Sequence, residues 1–278
     1  MIASVKQRLQ IAPALVRDLL VGFLRNETTK IGVTKAVIGL SGGIDSAVSA
    51  FLSAEAFGKE NVFCVLMPYR TSNPDSLSDA ESIVAKLGVH AETVEITPMV
   101  EPLFAGFTEI DNVRCGNIMA RERMIVLYDV SAREHALVIG TSNKTETLLG
   151  YTTIFGDNAS AINPLGDLYK THVRQLARLM GVPEHIIQKA PSADLWAGQT
   201  DEDELGLTYE LADEILYLLV DERRSEQEVA ELGYPIELIG KITRLIRTSQ
   251  FKRRPPLIAK VSYRTVNLDF RYARDWGT

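Results

Sequence analysis

The sequence predicts an α/β fold: a doubly wound, mainly parallel sheet flanked by helices, with further helices towards the C-terminal end. Three observations lead there. Short β-branched and apolar runs at 36–40, 61–68, 92–96 and 136–140 alternate with stretches of helical periodicity, the pattern of repeated strand–helix units. The run 61–68 is apolar almost throughout and stops at Pro68, as a buried parallel strand does. Finally, the first run ends in a turn of small residues, Ser41-Gly42-Gly43, that opens directly into a helical pattern. In such folds ligands bind at the carboxyl ends of strands, near the point where the strand order reverses.

The elements follow in order. Residues 5–25 read as one amphipathic helix, with Leu9, Leu15, Leu19, Leu20 and Phe23 at helical spacing, packed on the domain or on a second subunit. Next come the strand 36–40, the turn, and a helix over 44–57. Glycines at 42 and 43 let backbone N–H groups approach an anion closely, and the helix start adds its unpaired amides and partial positive charge. The place suits a phosphate. Ser41 and Ser46 add hydroxyl donors, whereas Asp45 would repel a bare phosphate and makes sense with a divalent cation between them. A glycine-rich turn without a ligand is the alternative. No G-x-x-x-x-G-K-[ST] is present, so the loop is not the P-loop of kinases and GTPases.

After the second strand, Asp75, Ser76 and Asp79 lead into a helix through Leu87, closed by Gly88, and 92–96 is the third strand. Cys115 falls in a loop, and 117–133 is a strong helix bearing Ile118, Met119, Met124, Ile125, Leu127 and Tyr128, with Arg121 and Arg123 in its first half. The strand 136–140 runs straight into Gly140-Thr141-Ser142-Asn143-Lys144-Thr145-Glu146, polar residues placed where a ligand crevice would lie. By itself such a segment is more often a cap and turn than a site; following a strand of a sheet that already has a phosphate loop, it reads as the second half of the nucleotide site. A helix over 169–180 stops at Gly181-Val182-Pro183. The stretch 190–204 has loop composition, and its acidic run 201–204 reads as a solvated loop or a helix start. Helices follow at 209–221, 225–232 and 235–249, and the basic tail 251–256 cannot be regular helix past its prolines.

Bulk properties set the class. The 278 residues suffice for one α/β domain, 1–278, made of the N-terminal helix 5–25, an α/β core with the phosphate-suited turn at about 33–195, and C-terminal helices and tail at 205–278. A hydrophobic content of 46% with 24% charged residues is that of a soluble globular protein. No apolar run has the length of a membrane span and no apolar signal core follows the first charges, which points to the cytoplasm. The net charge of −6 argues against a nucleic-acid binder, which needs a basic footprint. Cys64 and Cys115 form no metal or redox spacing, and His90, His135, His172 and His185 fall in no motif.

The segment SGGIDS resembles the signature of the ATP pyrophosphatase superfamily, whose members split ATP between its α and β phosphates and adenylate a substrate oxygen. Together with ARERM around Arg121, GTSNKTE, GYTTIFGD, NP followed by Lys170, KAPSADLW and KRRPP, it makes the chain similar to one family, the ammonia-dependent NAD synthetases. The stretches occur in family order from about residue 38 to 256. The resemblance implies an adenine nucleotide α-hydrolase-like fold and a two-step reaction. The nicotinate carboxylate of deamido-NAD attacks the α-phosphorus of ATP, releasing pyrophosphate, and ammonia then displaces AMP.

On this resemblance Ser41, Gly42, Gly43, Ile44, Asp45 and Ser46 hold the pyrophosphate of ATP, with Thr141, Lys170 and Ser192 as further ATP contacts. Asp45 and Glu146 are the catalytic carboxylates that hold Mg²⁺, while Arg121 and Lys252 contact deamido-NAD. A phosphate-facing Arg253 or Arg254 is a further option. The family also implies a homodimer with the dinucleotide at its interface, and no amidohydrolase module precedes the first helix, so ammonia rather than glutamine is the expected nitrogen donor. The chain departs from one branch of the family at Ile154, Ala161 and Phe251, where that branch has lysine, aspartate and histidine. Two rivals make distinct demands. A tRNA-modifying relative needs a basic face or an RNA-binding module, and a non-catalytic ATP sensor has no need of both Asp45 and Glu146.

Overall fold

The computed structural model describes residues 4–192, 200–266 and 269–270. Its helices and strands are α1 (Val5–Arg8), α2 (Pro13–Thr29), β1 (Ala36–Gly39), α3 (Ile44–Phe57), β2 (Val62–Leu66), α4 (Pro74–Leu87) and β3 (His90–Thr93). Then come α5 (Thr97–Phe104), α6 (Asn112–Glu134), β4 (Leu137–Val138), α7 (Lys144–Leu149), α8 (Lys170–Met180) and α9 (Glu184–Gln188). The C-terminal part adds α10 (Asp201–Leu205), α11 (Tyr209–Leu216), α12 (Glu226–Glu231) and α13 (Ile236–Thr248). A π-turn at Tyr217–Asp221 continues α11, and single 3₁₀ turns occupy Lys59–Asn61 and Gln250–Arg253.

The four strands form one all-parallel sheet in the order β3-β2-β1-β4. The order reverses between β1 and β4, so the crevice expected of a doubly wound sheet opens beyond the carboxyl ends of these two strands. Both faces are covered. Ala36 and Ile38 of β1 point into a core shared with α2, α3, α4 and α8, while Val37 and Val65 pack on the opposite side against Val126 and Val130 of α6. A separate apolar cluster under α11, α12 and α13 includes Tyr169 and Leu149, which ties the C-terminal helices to the elements after β4.

Several boundaries differ from the sequence reading. The single helix expected over 5–25 is broken, because Pro13 opens α2 and holds Ala12 in extended backbone. The third strand is His90–Thr93 rather than 92–96, although Val94 N still donates to Leu66 O and Ile96 N to Pro68 O, so the ladder runs on past the strand. Cys115 is helical, since Asp111 caps α6 five residues before the expected start by accepting from Arg114 N. Of the strand 136–140, only Leu137–Val138 is regular, with Ile139 bridged to Ile162. Helix α5 was not foreseen; prolines at 98 and 102 hide it, yet Pro98 sits at its tolerated start. The acidic run is a short helix, α10, capped by Thr200.

Candidate active site

The turn after β1 is built by its own hydroxyls. Ser41 Oγ lies 3.1 Å from Ser46 Oγ and accepts from Gly43 N at 3.3 Å, while Ser46 Oγ donates to Gly43 O at 3.0 Å and accepts from Ser41 N at 3.2 Å. Gly42 has φ +79°, and a Cβ there would stand 2.1 Å from the carbonyl oxygen of Ser76, so only glycine fits where the turn presses on α4. No side chain caps α3 at Gly43. Its first amides are left to an incoming anion.

The second wall comes from β4. Ser49 Oγ of α3 donates to Gly140 O, fixing the strand end against the first helix. Asn143 then caps α7: its Oδ1 accepts from Glu146 N at 3.0 Å, and Glu146 Oε2 accepts from Asn143 N at 3.3 Å. The other end of the same amide crosses the crevice, where Asn143 Nδ2 donates to Asp45 Oδ1 at 3.0 Å.

Between the two carboxylates sits Lys170, the first residue of α8 and 2% exposed. Its ammonium donates to Asp45 Oδ2 at 2.6 Å and to Glu146 Oε1 at 3.0 Å. The fourth side is the ring of Tyr209, with Lys170 Nζ 4.7 Å from its centroid. Tyr209 OH donates to Asp201 Oδ2 at 3.0 Å and lies 3.5 Å from Glu146 Oε1. Burial disfavours every charge here. It pushes the Glu146 carboxyl up to about 7, with Lys170 opposing and Asp45 adding to the rise. Burial also pulls on Lys170, but the two facing carboxylates outweigh it and hold the ammonium above the ordinary lysine range. Asp201 is raised by burial, opposed by Lys170 and the Tyr209 hydroxyl.

Behind the site, Asp213 is wholly buried. It accepts from Thr145 Oγ1 at 2.6 Å and from Thr171 N at 2.8 Å, and Thr145 Oγ1 in turn accepts from Lys170 N at 3.0 Å. The carboxylate thus fastens the start of α7 to the start of α8.

Asp45, Glu146, Lys170 and Asp201 face one cavity of about 830 Å³, with Asn143, Tyr209 and Asp213 behind its wall. Ser41, Gly43, Ile44, Asp45, Ser46, Thr141, Glu146, Lys170, Ser192 and Lys252 are all on its wall, and Gly42 turns the chain behind it. The structure therefore brings together nearly all the residues singled out in the sequence. Arg121 is the exception. It lies off this wall and donates from Nε to Ile154 O, while Arg123, two residues on, lines the cavity and donates to Met67 O at 3.0 Å. Lys252 reaches the wall by donating to Gly150 O at 2.7 Å and Thr152 O at 2.5 Å. Arg253 lies off the cavity wall and is spent on the carbonyls of Thr147, Leu148 and Ile246. The part of the 190–196 stretch from residue 193 on lies outside the described residues.

The sequence reading missed Asn143, Asp201, Tyr209 and Asp213. A signal existed for the last two. Tyr209, Ala212, Asp213 and Leu216 share one helical face and are all buried, so an acid stood in phase with an apolar stripe. Lys170, which only the family resemblance singles out in the sequence, is the most enclosed lysine of the site.

The family model described as NAD synthase matches residues 16–256. An NH(3)-dependent NAD(+) synthetase of Trichlorobacter lovleyi is 57% identical over 97% of this chain and 99% of its own length, and one of Chlorobium phaeobacteroides is 53% identical over 97% and 98%. Among solved structures, an NMN synthetase of Francisella tularensis superposes with a TM-score of 0.81 at 33% identity, over 90% of this chain and 99% of the other. An NH3-dependent NAD synthetase of Campylobacter jejuni in complex with the nitrate ion gives 0.78 at 34%, over 90% and 100%.

Proposed function

The chain belongs to the NAD synthase family, and from that premise we propose the work of its cavity: ATP-dependent amidation of deamido-NAD to NAD by ammonia, with release of AMP and pyrophosphate. The observation that carries the reading is the Asp45–Lys170–Glu146 bridge, set beside the Ser41–Ser46 turn at the switch point of the sheet.

The chemistry is largely charge management, since an anionic carboxylate must approach an anionic triphosphate. The turn amides, the hydroxyls of Ser41 and Ser46 and the start of α3 receive the pyrophosphate. Thr141 and Ser192 lie along the same wall for the rest of ATP. Asp45 and Glu146 suit a magnesium ion: two carboxylates facing one point, short of a full cage, are what Mg²⁺ takes when phosphate oxygens and water complete its shell. Once bound there, it supplies positive charge to the leaving pyrophosphate. Lys170 supplies a second positive charge at the same edge of the cavity. The nicotinate carboxylate attacks the α-phosphorus and becomes an acyl adenylate; ammonia adds to the acyl carbon, AMP departs with the C–O bonding pair, and one proton is lost from nitrogen. Lys252 is the direct dinucleotide contact of the proposal, and Arg121 on α6 serves it indirectly, by holding the 154 turn through its bond to Ile154 O.

A homodimer is part of the same reading. Leu15 and Leu19 on α2 are 60% and 63% exposed, and α6 presents Ile125 and Tyr128 to solvent, apolar surface suited to a partner copy. No helix among the described residues is long and apolar enough to cross a membrane. A cytoplasmic site of action, where the ATP pool lies, belongs to the proposal.

The test is to incubate the protein with deamido-NAD, ATP, Mg²⁺ and ammonium. NAD and AMP should appear in equal amounts; ADP in place of AMP, or no product without added RNA, overturns the reading. Nicotinate mononucleotide run in parallel decides between dinucleotide and mononucleotide acceptors. Asp45→Asn and Glu146→Gln should each abolish pyrophosphate release while the circular dichroism spectrum stays unchanged, and unfolding of both would assign them a structural role instead.

A further inference from the structure

The position between Asp45 and Glu146 is taken by an ammonium group. Lys170 Nζ stands 2.6 Å from one carboxylate and 3.0 Å from the other. A divalent cation bound to the same two oxygens would need metal–oxygen distances of about 2.0–2.1 Å for Mg²⁺, and its charge would sit against that of the ammonium. The lysine cannot simply withdraw, because it is buried against the ring of Tyr209, and a buried charge without a partner is costly. Nor do the surroundings offer the metal a cage of its own. Among the described residues no group of three or more His, Cys, Asp or Glu side chains is arranged to hold an ion.

We propose that Lys170 is the built-in counter-cation of the two carboxylates, and that the divalent cation enters only together with a triphosphate, which both completes the metal's shell and receives the displaced lysine. Of the substrates, the triphosphate carries the most negative charge and can meet both tasks. The flexible four-carbon stem of lysine permits the exchange without moving α8, whose start is held through Thr145 and Asp213. Metal and nucleotide are then positively coupled, and the coupling is reciprocal. Before loading, Lys170 is a positioning residue that keeps two acidic groups at a fixed separation; after loading it is a phosphate contact.

This rests on Asp45 and Glu146 being metal ligands, and the experiment separates the two claims. Free Mn²⁺ is measured by electron paramagnetic resonance in titrations of the wild-type, Asp45→Asn and Lys170→Met proteins, with and without α,β-methylene ATP, after correction for Mn²⁺ held by the analogue alone. Without nucleotide, the wild type should bind Mn²⁺ no better than Asp45→Asn. With the analogue, Asp45-dependent binding should appear at least about 10-fold tighter, inside the range usual for coupled sites. Lys170→Met should gain Mn²⁺ affinity without nucleotide, and adding Asp45→Asn should remove the gain. If Lys170→Met does not fold, the wild-type and Asp45→Asn pair still decides. Asp45-dependent binding of equal strength with and without the analogue overturns the counter-cation role alone, and no Asp45-dependent binding in either condition overturns the metal-ligand reading with it.

Discussion

Replacing Asp213 by alanine tests how the site is held. The carboxylate is fully buried and receives two donors, the Thr145 hydroxyl at 2.6 Å and the Thr171 amide at 2.8 Å. Leaving the buried hydroxyl unsatisfied costs about 1–3 kcal/mol, and the half-buried amide adds less, so a loss of roughly 2–4 kcal/mol is expected. That loss must depend on pH. Burial pushes Asp213 up from the ordinary aspartate range to about 6, with Thr145 and Thr171 opposing. A carboxyl whose folded pKa is raised binds its proton more tightly in the folded state, so its contribution to stability is largest at low pH and declines as pH rises through about 6. Between about pH 5 and 7.5 the wild type should lose close to one pKa unit's worth, about 1.4 kcal/mol, through this group, and the variant should not. Urea unfolding of both proteins at the two pH values measures the difference directly. The destabilisation should be greater at the lower pH, and pyrophosphate release should fall at both, since Thr145 loses the partner that aims it at Lys170 N. A destabilisation below about 1 kcal/mol, or one equal at the two pH values, refutes the reasoning.

Two further outcomes follow from the same structure. Gly42→Ala places a methyl group 2.1 Å from Ser76 O in left-handed backbone, so the turn must shift; stability should drop by at least about 1–2 kcal/mol and pyrophosphate release should be lost, whereas normal activity would mean the turn is free to relax. Cys64 is enclosed in β2 with its thiol pushed up to about 12 by burial, while Cys115 is only partly buried, so a thiol reagent should modify one cysteine of the native protein and both after denaturation. Two modified thiols in the native state would contradict the burial of β2.

The legible parts of this fold are those where a local pattern is also the global one. The run ending at Leu40, the small residues after it and the helical period from Ile44 specify strand, turn and helix over residues 36–57, and all three stand as expected. The polar stretch after β4 was legible as a second wall because it directly follows a buried strand. What pairs with what across the crevice was not. Lys170 is 125 residues from Asp45 in sequence, and nothing in the composition of α8 marks its first residue as the one that turns inward. Its place was available only from the family resemblance. Tyr209 and Asp213 were hidden differently: helical periodicity sorts residues into inside and outside, and these two are inside while being polar. Arg121 shows the reverse limit. The motif around it points to a ligand, but within one chain its guanidinium is engaged by a backbone carbonyl.

Asn143 carries a consequence beyond its distances. Its side chain is amphoteric, accepting from the amide of Glu146 with one atom and donating to Asp45 with the other, so a single planar group spans from the helix that bears one carboxylate to the other carboxylate itself. Aspartate there could still cap the helix, but it would face Asp45 with like charge; serine could cap and would fall short. The six-residue α7 is too brief to persist without its cap and its packing, so the residue that lets this helix exist also gauges the gap between the two acids. Variants at position 143 should therefore sort by geometry of the amide rather than by helix propensity, with glutamine, one methylene longer, reporting how finely that gap has to be set.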